Sequence, residues 1–320
     1  MAVLDPVVEP AMNARLGASR VIHARLAPRL FTASSAAVVL LIIGGAVYLV
    51  VSSGRLRWSV IGEYIFSAVM LNGVKTTLII TLVSLITSIV LGTLLATMRM
   101  SKNFILKSIA AAYIWFFRGT PVIVQVVFWF NIALFLPRVG IGDWTVSTNV
   151  IVTPMNAALL AMSLNVSAFM CEVVRGGLLA VDRGQTEAAM SIGMRPAGIL
   201  LRIVLPQAIR VILPPAGNLA IDLLKATSLV YVIGTKEILG TATSISAQNF
   251  YVIELLIVAC CWYLVLVTIA SYCQGKLEKH FSRGYTPTNT RGKKSATHLS
   301  QETETSSQVE STTETKEGSS

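Results

Sequence analysis

Charge is scarce in this sequence. Only 13% of its 320 residues are charged, about half the roughly 25% of an ordinary soluble domain. So few charges could not cover the water-facing surface of a chain this long, which excludes a pair of soluble domains. Histidine and aspartate are rarer still, with three His and four Asp in the whole chain. A membrane enzyme would need His, Asp or Glu grouped near an interface. His23, His280 and His298 lie far apart instead, and no metal site is expected. Cysteine is limited to Cys171, Cys260, Cys261 and Cys273, inside or at the edge of apolar stretches and without metal-ligand spacing. They read as small core residues. A phosphate loop of the form G-x-x-x-x-G-K-S/T is also missing, since Gly275-Lys276 and Gly292-Lys293 lack its framing. The chain is not expected to hydrolyse ATP alone, to bind a cofactor or to catalyse a reaction.

What is abundant is hydrocarbon. Hydrophobic residues make up 54% of the chain, and the mean hydropathy is +0.69. The natural partner is a lipid bilayer. A net charge of +10 could suggest nucleic acid, but the basic residues fall in short runs between apolar spans, the pattern by which a membrane protein orients itself. Nucleic acid is therefore excluded as a partner.

The pattern predicts an all-α membrane protein with six transmembrane helices. A cytoplasmic segment, 1–33, carries Arg15, Arg20, Arg25 and Arg29 and no sustained apolar run; no signal peptide is expected. An additional helix covers 34–52 and contains the run SSAAVVLLIIGGAVYLVV, just enough to cross about 30 Å of hydrocarbon at roughly 1.5 Å per residue. Further spans are expected at 71–98, 110–136, 154–174, 211–234 and 251–273. The third should bend at Arg118-Gly119-Thr120-Pro121, because proline removes a backbone donor. The stretch 175–210 holds five arginines and is too charged to cross. The tail, 284–320, is rich in Ser, Thr, Glu and Gly and reads as disordered.

Orientation follows from counting. The N-terminal segment, the 99–107 loop, the 175–210 loop and the chain after 275 hold four, three, five and seven Lys/Arg. The opposite loops hold only Arg55, Arg57, Arg138 and Lys236, nineteen against four. Both termini and the 175–210 loop are expected to be cytoplasmic.

Within that loop lies a patterned stretch, 183–207. It reads Glu187-Ala188-Ala189, with Gly193 four residues after the second alanine, and ends in Ile203-Val204-Leu205-Pro206. A short helix at 187–192 with small alanines leaves one face open to close approach. Gly193 permits a turn that other residues resist, and Pro196 suits the first turn of a second helix. Pro206 is expected to end that helix. The element reads as a rigid peg suited to a partner's groove.

These spacings match the EAA signature of ABC importer permeases. The chain resembles the polar amino-acid subfamily of that family, the group for His, Glu, Gln, Arg and opines. Phe117-Arg118-Gly119-Thr120-Pro121 with Gln125 fits its FRGTPxxxQ segment. Leu164-Asn165, Glu172-x-x-Arg175-Gly176-Gly177, Leu213-Pro214-Pro215-x-Gly217-Asn218 and Leu224-Lys225-x-Thr227-Ser228-Leu229 fit as well. Ala226 stands where the subfamily often has an acidic residue, and Phe169 where it often has tyrosine. The resemblance implies a five-helix type-1 permease core at 70–275, with the first helix additional. It also implies a cytoplasmic ATPase bound at Glu187, Ala188, Ala189, Gly193, Ile203, Leu205 and Pro206, with ATP held by that subunit. A second permease, identical or related, and an extracytoplasmic binding protein complete the implied assembly. The implied setting is the cytoplasmic membrane of a prokaryote. The alternative class is an ATP-independent secondary transporter or channel.

Polar groups inside the spans are the remaining candidates. Asp222 and Lys225 are three apart and can pair on one helix face. Charges near the bilayer centre cost roughly 2.5–3.5 kcal/mol on insertion scales, so the two are expected to face the bundle or a cavity, either on the translocation path with Ser228 or as an ion pair between helices. Glu172 and Arg175 share that spacing and read as a structural pair at the root of the loop. Asn131 and Asn165 are expected at depth, as packing or pore residues. Arg118, Gly119, Thr120, Pro121 and Gln125 are candidates for a gate or a subunit interface.

Overall fold

The computed structural model describes residues 56–141 and 144–281, with scattered positions between 38 and 54. The segments 1–33 and 284–320, and most of the additional helix at 34–52, lie outside the described residues.

The described chain opens with a short helix α1 (Trp58–Ile65). Helix α2 (Ala68–Met100) follows, capped by Ser67, whose Oγ accepts from the amide of Met70 at 3.3 Å. At 33 residues it outlasts the bilayer core. Its buried side is small and weakly polar, including Thr77, Ser84 and Ser88. Such residues let helices approach without a driving force from water, and Ser88 Oγ donates to the Ser163 carbonyl at 3.1 Å.

Helices α3 (Phe104–Gly119) and α4 (Val122–Phe130) replace the single third span and meet at 103°. The expected bend lies where Pro121 stands. Beyond α4 come a 3-10 turn (Ile132–Leu134) and an antiparallel hairpin of β1 (Arg138–Ile141) and β2 (Trp144–Ser147). The short helix α5 (Thr148–Ile151) then leads into α6 (Pro154–Leu179). The hairpin is unexpected, because four-residue strands beside an apolar span leave no readable period.

The loop after α6 holds α7 (Arg183–Ser191) and α8 (Pro196–Ile199), then a π turn (Leu200–Val204) and α9 (Leu205–Ala226). Pro206 was expected to end a helix. It stands instead in the first turn of α9, where a missing amide donor costs nothing. The fifth span differs too: α9 gives way at Thr227–Ile233 to a 3-10 turn, and α10 (Ile238–Asn249) is a helix of its own. Helix α11 (Val252–Phe281) ends the described chain. Among the described residues, four helical stretches are long and apolar enough to cross a membrane, or five with the bent pair α3–α4.

Two compact units emerge, and neither is a continuous stretch. One comprises the chain up to Cys171 with Leu219–Thr268, and the other Glu172–Asn218 with the chain from Ile269. The first holds both apolar cores. Ile80, Val126, Met162, Val166, Leu223 and Val230 form one, and Met70, Val74, Ile238, Leu255 and Val258 the other. Of the cysteines only Cys171 is buried; Cys260, Cys261 and Cys273 are exposed on α11. Their reading as core residues is corrected, because a lipid-facing surface is as apolar as a core and composition does not separate the two.

Candidate functional site

The second unit carries the loop helix. Asp182 caps α7, its Oδ1 accepting from the amide of Gly184 at 2.8 Å. At the far end Gly193 lies at φ +76°, in the left-handed region. Its amide donates to the Met190 carbonyl at 2.9 Å, and that of Met194 donates to Ala189 at 3.1 Å. That double bond pattern is a Schellman closure. It holds the chain in a tight reversal, and Pro196 then opens α8 at its first position.

The closure sorts the predicted residues. Glu187 and Ala188 are exposed, Ala189 is buried, Gly193 and Pro206 are exposed, and Ile203 and Leu205 are half-buried. Two residues that the sequence reading did not include stand out. Met190 is 55% exposed and Ile192 is 76% exposed, both at the capped turn. With Leu200 and Leu201, also exposed in this loop, they make up the large apolar side chains that mark an interaction surface. Large apolar residues next to the alanines were the available signal. At the root of the loop Arg175 donates from Nη2 at 2.7 Å and Nε at 3.1 Å to one oxygen of Glu172, the expected pair.

In the first unit the α3–α4 break gathers most of the gate candidates. Pro121 caps α4, and Thr120 is extended at φ −109°, ψ 142°, as the residue before a proline tends to be. The break frees backbone carbonyls, and side chains take them. Buried Gln125 donates from Nε2 to Thr120 Oγ1 at 2.7 Å, to the Phe117 carbonyl at 3.1 Å and to the Thr120 carbonyl at 3.2 Å. Asn165 donates to the Phe117 carbonyl at 3.0 Å and to Gln125 Oε1 at 3.3 Å. Irregular backbone at membrane depth survives where such partners satisfy it. Gly119 and Arg118 are exposed at the break. The Arg118 guanidinium lies 5.1 Å from the centre of the Phe169 ring. Asn131 is exposed and donates to the Val127 carbonyl of its own helix at 2.8 Å rather than to a neighbouring helix.

Asp222 and Lys225 do pair, at 2.8 Å, but with side chains 66% and 56% exposed. The pair is therefore within α9 rather than between helices, the second of the two readings offered, and it is exposed on this single subunit. Spacing places two charges on one face and leaves open where that face points. Ser228 Oγ donates to the Lys225 carbonyl at 2.8 Å. Asp222 also lines a cavity of ≈ 180 Å³, together with Val122, Met162, Asn165, Phe169 and Ala226. The cavity therefore joins Asn165 to Asp222 and touches the ring under Arg118. A buried carboxylate went unread: Glu237 caps α10, accepting from Leu239 at 2.8 Å, Gly240 at 2.6 Å and Tyr263 Oη at 2.6 Å. Its signal was an acidic residue just ahead of a helix of small residues.

A multi-pass helical bundle with a side-chain-stabilised helix break and a rigid capped loop helix is the build of a membrane transport subunit. The chain belongs to the family of binding-protein-dependent transport system inner membrane components, which matches residues 88–283. It is 36% identical over 258 residues to an arginine transport system permease protein of Corynebacterium glutamicum, covering 80% of this chain and 82% of that one. To a probable amino-acid ABC transporter permease protein of Bacillus subtilis it is 34% identical over 228 residues, covering 69% and 96%. A solved structure described as an amino acid ABC transporter with histidines aligns at TM-score 0.62 and 29% identity. That alignment covers 71% of this chain and 99% of the other. The chain is thus a permease subunit of an ATP-binding-cassette importer, with hydrolysis performed by a separate subunit. This membership favours the driven importer over a self-sufficient carrier or channel.

Proposed function

We propose that this permease moves a polar amino acid inward across the cytoplasmic membrane of a prokaryote, with both termini cytoplasmic. A cytoplasmic ATPase docks on 183–207, a second permease, identical or related, completes the path, and an extracytoplasmic binding protein delivers the solute. The observation that carries this reading is the Schellman-closed α7, which leaves Glu187, Met190 and Ile192 exposed around its C-terminal turn. Glu187 supplies charge, Ala188 close approach, and Gly193 the reversal. Ala189, Ile203, Leu205 and Pro206 support the fold of the loop. The Glu172–Arg175 pair braces its root.

The path side rests on the break at Arg118, Gly119, Thr120 and Pro121, held by Gln125 and Asn165. Asp222 and Asn165 on the shared cavity can meet an ammonium or carboxylate, with Lys225 and Ser228 one turn along. Support for the substrate class comes from relatives described as permeases for arginine, nopaline and L-cystine. The chain itself is expected to hold no cofactor, ATP being bound by the ATPase.

The test is copurification of the assembled transporter in detergent, wild type against Glu187→Lys, followed by titration of the binding protein with amino acids, sugars and peptides. The ATPase should accompany the wild type and be reduced about tenfold in the variant, the scale of one buried interfacial charge contact. Full retention of the ATPase by the variant would sink the docking role. A binding protein that takes only a sugar or peptide would sink the amino-acid reading.

A further inference from the structure

Helix α9 carries Pro214 and Pro215 in its interior, without an accompanying break. Neither residue has an amide to donate, so the carbonyls of Arg210 and Val211 lose their partners one turn back. A helix weakened in this way is a poor lever unless something outside holds it. The side chain that does so is Gln274, on the last turns of α11. Its Nε2 donates to the Pro214 carbonyl at 3.2 Å, to Asn218 Oδ1 at 2.9 Å and to Glu278 Oε1 at 2.8 Å. Two hydrogens thus serve three acceptors, the Pro214 contact being the longest. Gly217 makes room for it. A Cβ there would lie 2.8 Å from both Cγ and Cδ of Gln274, so any side chain would have to push the amide off its acceptors.

The same stretch of α9 is gripped from its other neighbour. A Cβ on Gly177 would collide with the Ile212 side chain, and it would lie 3.2 Å from the Ala208 carbonyl. The end of α6 therefore lies hard against α9. Both the root of the 183–207 loop and the end of α11 hold residues 208–218, within one compact unit.

We propose that Gln274 is a positioning residue for energy coupling. It clips the C-terminal turns of α11 onto α9 at Pro214–Asn218, so that displacement of the 183–207 loop moves α11 together with α9. This rests on the reading of that loop as the ATPase dock. The clip works through hydrogen bonds across a proline-weakened turn, and its loss uncouples the movement without removing the dock.

The test uses the complete transporter, permease with ATPase and binding protein, reconstituted in vesicles. Gln274→Ala deletes the clip, and Gly217→Ala displaces it while leaving the glutamine in place. Both should lower the amount of solute accumulated per ATP hydrolysed about fivefold. Hydrogen exchange in the assembled protein should speed up about tenfold at the amides around 216–219, the scale of a lost hydrogen-bond tie. Gln274→Met keeps the volume and replaces the alanine variant should that one fail to accumulate. Unchanged exchange in these variants would show that no tie exists. Faster exchange with an unchanged uptake-to-ATP ratio would reduce Gln274 to a purely structural residue; either result overturns the proposal. Loss of the ATPase dock on 183–207 is a separate outcome, read by the Glu187→Lys copurification, and it strikes the coupling reading rather than the clip.

Discussion

Two proline-bearing stretches of this chain meet opposite fates. At Pro121 the helix breaks and α4 leaves α3 at 103°. At Pro214 and Pro215 helix α9 runs on without interruption, although two successive prolines stand in its interior, each with a typical cost of about 3 kcal/mol. The difference lies in what surrounds the freed carbonyls. Around Pro121, Gln125 and Asn165 converge on the Phe117 carbonyl, and Thr120 extends; the bent form is the one with its polar groups satisfied. At Pro214 the α11 amide reaches the Pro214 carbonyl rather than the freed ones of Arg210 and Val211, and the helix runs on unbroken. A proline removes a constraint, and the neighbouring side chains decide which geometry replaces it.

Three variants would break or sharpen that contrast. The largest effect is expected from the double change Gln125→Leu with Asn165→Leu, which leaves the Phe117 carbonyl buried without a donor. It should destabilise the purified subunit by about 2–4 kcal/mol in a denaturation experiment. Because either side chain alone still donates to the Phe117 carbonyl, each single change should cost less than half of that, and clean additivity would show that the knot is not shared. Pro121→Ala comes next. The bend should persist, because the side-chain donors remain; distances between spin labels on α3 and α4 should change little, while stability shifts by about 1 kcal/mol or less. A straightened α3–α4 would show that the proline alone imposes the angle. The smallest effect is expected from Pro214→Ala, which restores an amide to a helix that is already straight. A modest stability gain of about 0.5 kcal/mol should come with a weaker response to Gln274→Ala, and an unchanged response would separate the clip from the prolines.

Much of the architecture was readable because it rests on local rules. Apolar runs of 20 or so residues must be helical in lipid, where no water satisfies the backbone. This made α2, α6 and α11 visible. The bend at Arg118–Pro121 and the left-handed turn at Gly193 followed from the residues that favour them. Helix α10 was missed because it is short and rich in Gly, Thr and Ser, so that it resembles a loop. What exposes it as a helix is a buried cap, Glu237, tied to Tyr263 on the next helix. Where Asp222 and Lys225 point was not legible for a related reason. Their pairing depends on a spacing of three, but their exposure depends on which neighbours cover that face. Met190 and Ile192 look unremarkable in the loop sequence, and they become a surface only when the capped turn leaves both exposed.

From residue order alone came the spans, their basic flanks, the loop helix with its glycine reversal and the proline sites. All of these depend on interactions within a few residues or on transfer from water to lipid, which the chain carries wherever it folds. The three-dimensional packing decided how each proline resolves, which polar residues share a cavity, and which helices hold α9. Those outcomes depend on hydrogen bonds between residues 40 to 60 apart, such as Asn165 with Gln125 and Gln274 with Pro214. No local rule reaches that far, since a polar group inside the bundle pairs with whichever partner the fold brings within about 3 Å.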